Sequence, residues 1–159
     1  MKTPIISTLV LVTLICGITA QAGDRKTYPG SACKSWDNNT QVKSDLNRGR
    51  IKNYTTLTEK VICPIVRDVN STTGSINSTV YVYNYNPDQS GYCRLRTRDS
   101  WGRGGDYALT QFTGVGEKIL TVGPVYPEYK GSVFLECKLP GRVVGSDESY
   151  IASYEVVEY

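Results

Sequence analysis

From residue 57 onward, short runs rich in β-branched and aromatic residues alternate with clusters of turn formers, and the runs keep a period of two rather than the 3.6 of a helix. The runs cover 57–66, 79–85, 92–97, 107–112, 118–122, 131–139 and 150–157. Between them lie Asn70-Ser71-Thr72-Thr73-Gly74, Asn86 through Gly91, Gly102 through Asp106, and Gly123-Pro124 through Pro127. Seven short strands at this spacing, with no window of helical period, predict an all-β fold: a single antiparallel β-sandwich, jelly-roll-like. The stretch 23–56 is polar, with Tyr28, Trp36, Leu46 and Ile51 as scattered apolar points. It is expected to carry little regular structure and to pack on a core formed by 57–159.

Two of the runs alternate cleanly. Val80 and Val82 share one face while Tyr81, Tyr83 and Tyr85 share the other; Cys93, Leu95 and Thr97 point one way while Tyr92, Arg94, Arg96 and Arg98 point the other. The six residues Asn86 to Gly91 have a hairpin's length, so the two strands are expected to be neighbours in one sheet. With the apolar faces inward, Tyr81, Tyr83, Tyr85, Arg94, Arg96 and Arg98 would lie together on its outer surface. Tyrosine rings stack on sugars or bases, and guanidinium groups grip carboxylates, sulfates or phosphates, so this is the candidate ligand-binding face. The structural alternative is that tyrosine is simply a good strand former and that arginine over tyrosine shields a sheet edge.

Residues 1–22 read as an export signal: Lys2, an apolar run from Ile5 to Ile18, then Ala20-Gln21-Ala22, with cleavage expected before Gly23. The apolar run is broken by Ser7, Thr8 and Thr13 and falls short of the ~20 residues that span a bilayer, and the residues before Cys16 do not suit lipidation. No second long apolar stretch follows. A secreted or periplasmic product without a membrane span is therefore expected. Its four remaining cysteines, Cys33, Cys63, Cys93 and Cys137, contain no C-x-x-C pair and so read as two disulfides rather than a zinc site. Of the three connectivities, Cys33–Cys63 with Cys93–Cys137 is favoured, because Cys93 and Cys137 sit on segments with matching inward patterns.

Composition narrows the chemistry. The 159 residues include 12 Tyr but no His, and the formal net charge is +3. Imidazole triads are thereby excluded, and so small a charge predicts no global attraction to polyanions, so no nucleic-acid partner is expected. Acid–base work by two carboxylates would not need histidine, and Asp99 and Asp106 flank the Trp101 loop, where they also suit turn formation. The stretch Asp68 to Gly74 begins like a calcium loop, but its glycine comes late and no glutamate closes it, so it reads as a turn. No cofactor and no metal are expected. Four N-x-[ST] sequences begin at Asn38, Asn53, Asn70 and Asn77; they matter only in a glycosylating host, and the Ala-Gln-Ala ending has a bacterial look.

The segments Val61-Ile62-Cys63-Pro64-Ile65-Val66-Arg67-Asp68, Val80-Tyr81-Val82, Cys93-Arg94-Leu95-Arg96 with Asp99, Leu135-Glu136-Cys137-Lys138-Leu139-Pro140 and Ser149 through Val156 resemble those of a group of short exported bacterial proteins of unknown function, which carry an early Cys-Pro-Ile turn and a late Cys-x-Leu-Pro strand. The resemblance runs from Val61 to the end; it implies an exported all-β protein and no particular site. Gly145 and Tyr159 also echo exported fimbrial subunits, although 23–32 lacks the alternation of a donor strand. An outer-membrane barrel fits less well, the strands being short. The expected role is thus a non-catalytic binding protein whose ligand is extracellular or on a cell surface, a glycan being one candidate. A two-carboxylate polysaccharide-active enzyme and a surface-assembly subunit are the alternatives.

Overall fold

The computed structural model describes residues 23–38, 41–68 and 74–159. The expected leader, and the part of the Asp68–Gly74 turn with its Asn70 sequence that falls in 69–73, lie outside the described residues. The described chain forms β1 (Asp24–Pro29), a 3-10 turn (Gly30–Ala32), β2 (Lys34–Ser35), β3 (Val42–Asp45), β4 (Arg50–Asn53), β5 (Glu59–Pro64), β6 (Ile76–Asn84), β7 (Gly91–Arg98), β8 (Gly104–Phe112), β9 (Gly116–Val125), β10 (Ser132–Leu139) and β11 (Tyr150–Glu158). They make two antiparallel sheets. Sheet A runs β3-β4-β11-β6-β9, with β1 also paired to β11; sheet B runs β2-β5-β10-β7-β8. The protein is all-β, two sheets facing each other, and each of the seven expected runs is a strand. Among the described residues no helix is long and apolar enough to cross a membrane.

The period-two pattern explains the layering. Val80 and Val82 of β6, Leu120 and Val122 of β9, and Ile151, Tyr154 and Val156 of β11 are buried from sheet A; Val61, Cys63, Leu95 and Leu135 meet them from sheet B. Fully burying an aliphatic side chain of this kind contributes about 1.5–3 kcal/mol. Both disulfides are formed, Cys33–Cys63 and Cys93–Cys137. Cys93 and Cys137 are direct cross-strand partners, so this bond staples β7 to β10 within sheet B rather than joining the layers.

Three expectations are corrected. The strands β6 and β7 are not a hairpin: β6 belongs to sheet A and β7 to sheet B. The intervening segment is bent across the core by buried amides. Asn86 Oδ1 accepts from the backbone of Asp88 and Gln89 while its Nδ2 donates to the Gly141 carbonyl, 2.8 Å away, and Asn84 Nδ2 donates to the Asn86 and Gly114 carbonyls. Second, the polar segment 24–53 supplies four strands; β1 runs along the C-terminal part of β11, from Asp24 opposite Glu158 to Pro29 opposite Ser153, and β4 takes Tyr150 and Ile151. Its weak apolar pattern reflects edge and rim positions, where Cys33, Val42 and Ile51 are the apolar side chains that enter the core. Third, Gly123-Pro124 lies inside β9 rather than in a turn, with a cis peptide bond and Gly123 at φ 133°. A Cβ there would meet the Ile76 and Asn77 backbone at the irregular start of the β6–β9 pairing, so glycine lets the strand continue.

Candidate functional site

The topology divides the six residues expected on one face. Tyr81, Tyr83 and Tyr85 point out from sheet A, whereas Arg94, Arg96 and Arg98 point out from sheet B on the opposite side of the sandwich. The physical reason is that alternation fixes which side chains face the core but not which sheet a strand joins. Val82 and Leu95 both point inward as expected, and they do so from opposite layers.

On sheet A the tyrosines gain a partner from β11. The register sets Tyr150 directly beside Tyr83, and their rings stack with centroids 5.7 Å apart and planes within 15°. Tyr85 leans on Tyr83 at 4.4 Å, and the Arg50 guanidinium from β4 lies 4.3 Å over the Tyr150 ring, closing the far end of the ladder. Such contacts add about 0.5–1.5 kcal/mol per aromatic pair beyond area burial and hold the rings in place before any ligand arrives. Burial, and then the charge of Asp147, push the Tyr85 phenol above its ordinary value, so it stays a neutral hydrogen-bonding group.

Next to this ladder lies an open groove of about 290 Å³, lined by Tyr81, Tyr83 and Tyr150, by Glu117, Lys118 and Ile119 of β9, and by Val82, Ala152 and Ser153. Its origin is visible in the pairing. The β6–β11 register shifts between Ile151 and Ser153, and the small Ala152 and Ser153 fall where the neighbouring rows carry rings. Ser153 pairs with Tyr81, which pairs with Ile119, so a low floor is bounded by two large side chains; Ile119 is 69% exposed. The lining therefore combines ring surface with hydroxyl and carboxylate groups; Lys118, opposite the inward Val82, turns its ammonium to the Val115 carbonyl.

On sheet B the arginines serve a different purpose. Glu136 of β10 is buried between them, accepting from Arg94 Nη2 at 2.6 Å, from Arg96 Nη1 at 3.3 Å and from the Tyr92 hydroxyl at 2.9 Å. Burial alone would raise the Glu136 carboxyl, but the hydrogen bonds from Arg94 and Tyr92 and the two nearby charges outweigh it and hold the group below the ordinary carboxylate range. Arg94 and Arg96 are thus partnered within the sheet. Arg98 donates to the Gly102 carbonyl, 3.1 Å away, and lies over the Phe134 ring.

The carboxylates considered for catalysis are turn acceptors. Asp99 Oδ1 accepts from the backbone of Trp101 (2.9 Å) and Arg103 (2.8 Å), and Oδ2 from Arg103 Nε (2.7 Å). These bonds prevail over desolvation and keep the Asp99 carboxyl below its ordinary value, the reverse of what a general acid needs. Asp106 accepts from the backbone of Tyr107 and Tyr126. Of the N-x-[ST] asparagines, Asn53 is fully buried: its Nδ2 donates to the Leu57, Leu139 and Pro140 carbonyls and its Oδ1 accepts from Thr55. It is a structural amide. Among the described residues no group of three or more His, Cys, Asp or Glu side chains gathers as a metal site.

Sequence reasoning missed Tyr150, Ile119 and Ser153 as groove residues, and Arg50 as the cation over the Tyr150 ring. Tyr150 opens a recognisable strand, but nothing local says that this strand lies beside 79–85. No family model matches the chain, and no curated protein matches it in sequence. Among solved structures it is similar to the arabinose-bound α-L-arabinofuranosidase MgGH51, with 15% identity, a TM-score of 0.44, and 83% of this chain and 23% of that chain covered. It therefore spans less than a quarter of that enzyme's length. It is also similar to TmCBM61 in complex with β-1,4-galactotriose, with 10% identity, a TM-score of 0.41, and 83% and 86% of the two chains covered.

Proposed function

We propose that this chain is an exported, non-catalytic binding protein that holds a glycan in the tyrosine-walled groove of sheet A. The observation that carries the reading is the conjunction of pre-stacked rings with a polar-rimmed groove. A sugar ring has an apolar C–H face and a rim of hydroxyls, which match ring surface from Tyr81 and Tyr83 and hydrogen-bonding groups from Ser153 and Glu117. At about 290 Å³ the groove sits at the small end of ligand sites, which run from roughly 300 to 1,000 Å³. Its openness to solvent suits a segment of a longer saccharide. Export is supported by the leader pattern and by two disulfides. Assembly by donor-strand exchange gains no support, because β11 of the chain itself fills the middle of sheet A.

The test is a glycan array probed with the chain from Gly23 onward, alongside Tyr83→Ala and Tyr150→Ala. Retention on a defined saccharide that both substitutions abolish is the expected result. Retention on nothing, or equal retention by wild type and both variants, contradicts the proposal.

A further inference from the structure

The register brings three lysines together at one corner of sheet B's outer face. Lys138 of β10 lies directly opposite Lys60 of β5, and Lys34 of β2 lies opposite Ile62, one outward position further along β5. Directly opposed residues have Cβ atoms about 4.5–5.5 Å apart and diagonal ones about 7–8 Å, so three ammonium groups can reach one point. Lys34 and Lys60 are exposed and Lys138 is half-buried. Trp36, 41% exposed, stands beside them with the Lys60 ammonium 5.9 Å from its ring.

Like charges set directly opposite each other weaken a sheet, and among the described residues no ion pair offsets them. Among the described residues none of the three lysines has an ion pair, and Glu136, the one acidic side chain at an outward position of β2, β5, β10 or β7, is committed to Arg94 and Arg96. Elsewhere the fold does compensate. The other cross-strand lysine pair, Lys43 opposite Lys52, has Asp45 and Glu148 each 3.7 Å from Lys52, and Lys26 is met by Asp68 at 2.7 Å. An uncompensated lysine cluster beside an exposed indole has the form of a site completed by an anion from outside.

We infer that Lys34, Lys60 and Lys138 form a second binding site, separate from the tyrosine groove, for the sulfate or carboxylate groups of an acidic polysaccharide. Duplex DNA is the poorer match: its affinity grows with the number of phosphates neutralised along the backbone, and this corner offers three lysines on a chain whose whole net charge is +3. Trp36 supplies ring surface for the sugar that bears the charged group.

The experiment measures binding of the chain from Gly23 onward to dextran sulfate, polygalacturonate, neutral dextran and duplex DNA over a series of salt concentrations. The site predicts binding to dextran sulfate or polygalacturonate, which of the two telling sulfate from carboxylate, and none to dextran. In Lys60→Gln/Lys138→Gln the slope of log K against log salt falls by about two, roughly one per lysine. In the charge-matched control Lys43→Gln/Lys130→Gln it stays the same. Because the first variant relieves a repulsion, it melts at or above the wild-type temperature. The inference is overturned if neither acidic polysaccharide binds, if the control loses as much, if DNA binds tighter than both polysaccharides, or if loss of binding comes with a lower melting temperature. Tyr150→Ala leaves this binding intact, which separates the site from the groove.

Discussion

Replacing Glu136 by Gln tests whether sheet B's outer face is a closed structural network. The substitution keeps shape and removes charge, leaving Arg94 and Arg96 without the carboxylate that both contact. Removing one partner of a fully buried pair costs about 3–5 kcal/mol. Glu136 is 2% exposed at its side chain, but both arginines retain 24%, so water recovers part of the loss and about 2–3 kcal/mol is expected at pH 7. In urea, with an m-value of about 2 kcal/mol/M, the midpoint falls by roughly 1 M. The pH dependence adds a second readout. The folded carboxyl lies below its ordinary value of 4.5, so its contribution is complete above that pH and is lost as the pH falls through the lower folded value. The gap between wild type and Glu136→Gln is therefore constant from pH 7 to about 5 and closes on further acidification. A gap under about 0.5 kcal/mol at pH 7, or one that stays level down to pH 3, refutes the network.

Tyr154 is buried against Tyr28, with rings 5.0 Å apart, and its hydroxyl donates to the Pro64 carbonyl at 2.6 Å; Tyr154→Phe leaves that carbonyl unmet and lowers unfolding free energy by about 1–2 kcal/mol in chemical denaturation. Replacing Cys93 and Cys137 together by Ala opens a loop with a separation of 44 residues and costs about 4 kcal/mol in the chain-entropy model, read as a drop in melting temperature that reducing agent no longer deepens at this bond. Asp99→Ala releases the turn that presents Trp101, which is 81% exposed; tryptophan fluorescence anisotropy falls while saccharide binding in the groove stays the same. Asn53→Ala removes five hydrogen bonds, three within 53–57 and two that tie it to the Leu139 and Pro140 carbonyls at the end of β10, and a loss of about 2 kcal/mol or more is expected in chemical denaturation.

Most of the layering was legible because burial imposes a period of two. Val80 and Val82 inward, Tyr81 and Tyr83 outward, and Cys93 facing Cys137 all follow from it. What alternation does not encode is sheet membership. Tyr83 and Arg96 are equally outward and lie on opposite sides, because Asn84 and Asn86 turn the chain across the core where a hairpin would have turned it back. Those amides look like ordinary loop residues until their carbonyl partners, Gly114 and Gly141, are known. The groove was hidden for a similar reason. Tyr150 meets Tyr83 by a pairing between residues 67 apart, and the bulge at Ala152 that lowers its floor has no local signature. The lysine corner likewise depends on register: Lys34, Lys60 and Lys138 come from three strands, and one of those strands is two residues long.

Backbone chemical-shift mapping of the chain from Gly23 onward, titrated with a saccharide retained on the array, addresses the groove most directly. Shifts concentrated at Tyr81, Tyr83, Ile119, Tyr150 and Ser153, with the 99–107 loop and sheet B unmoved, are what a tyrosine-walled saccharide site predicts. Shifts centred on Trp101 or on the Arg94–Arg96 face, with those five residues still, contradict it.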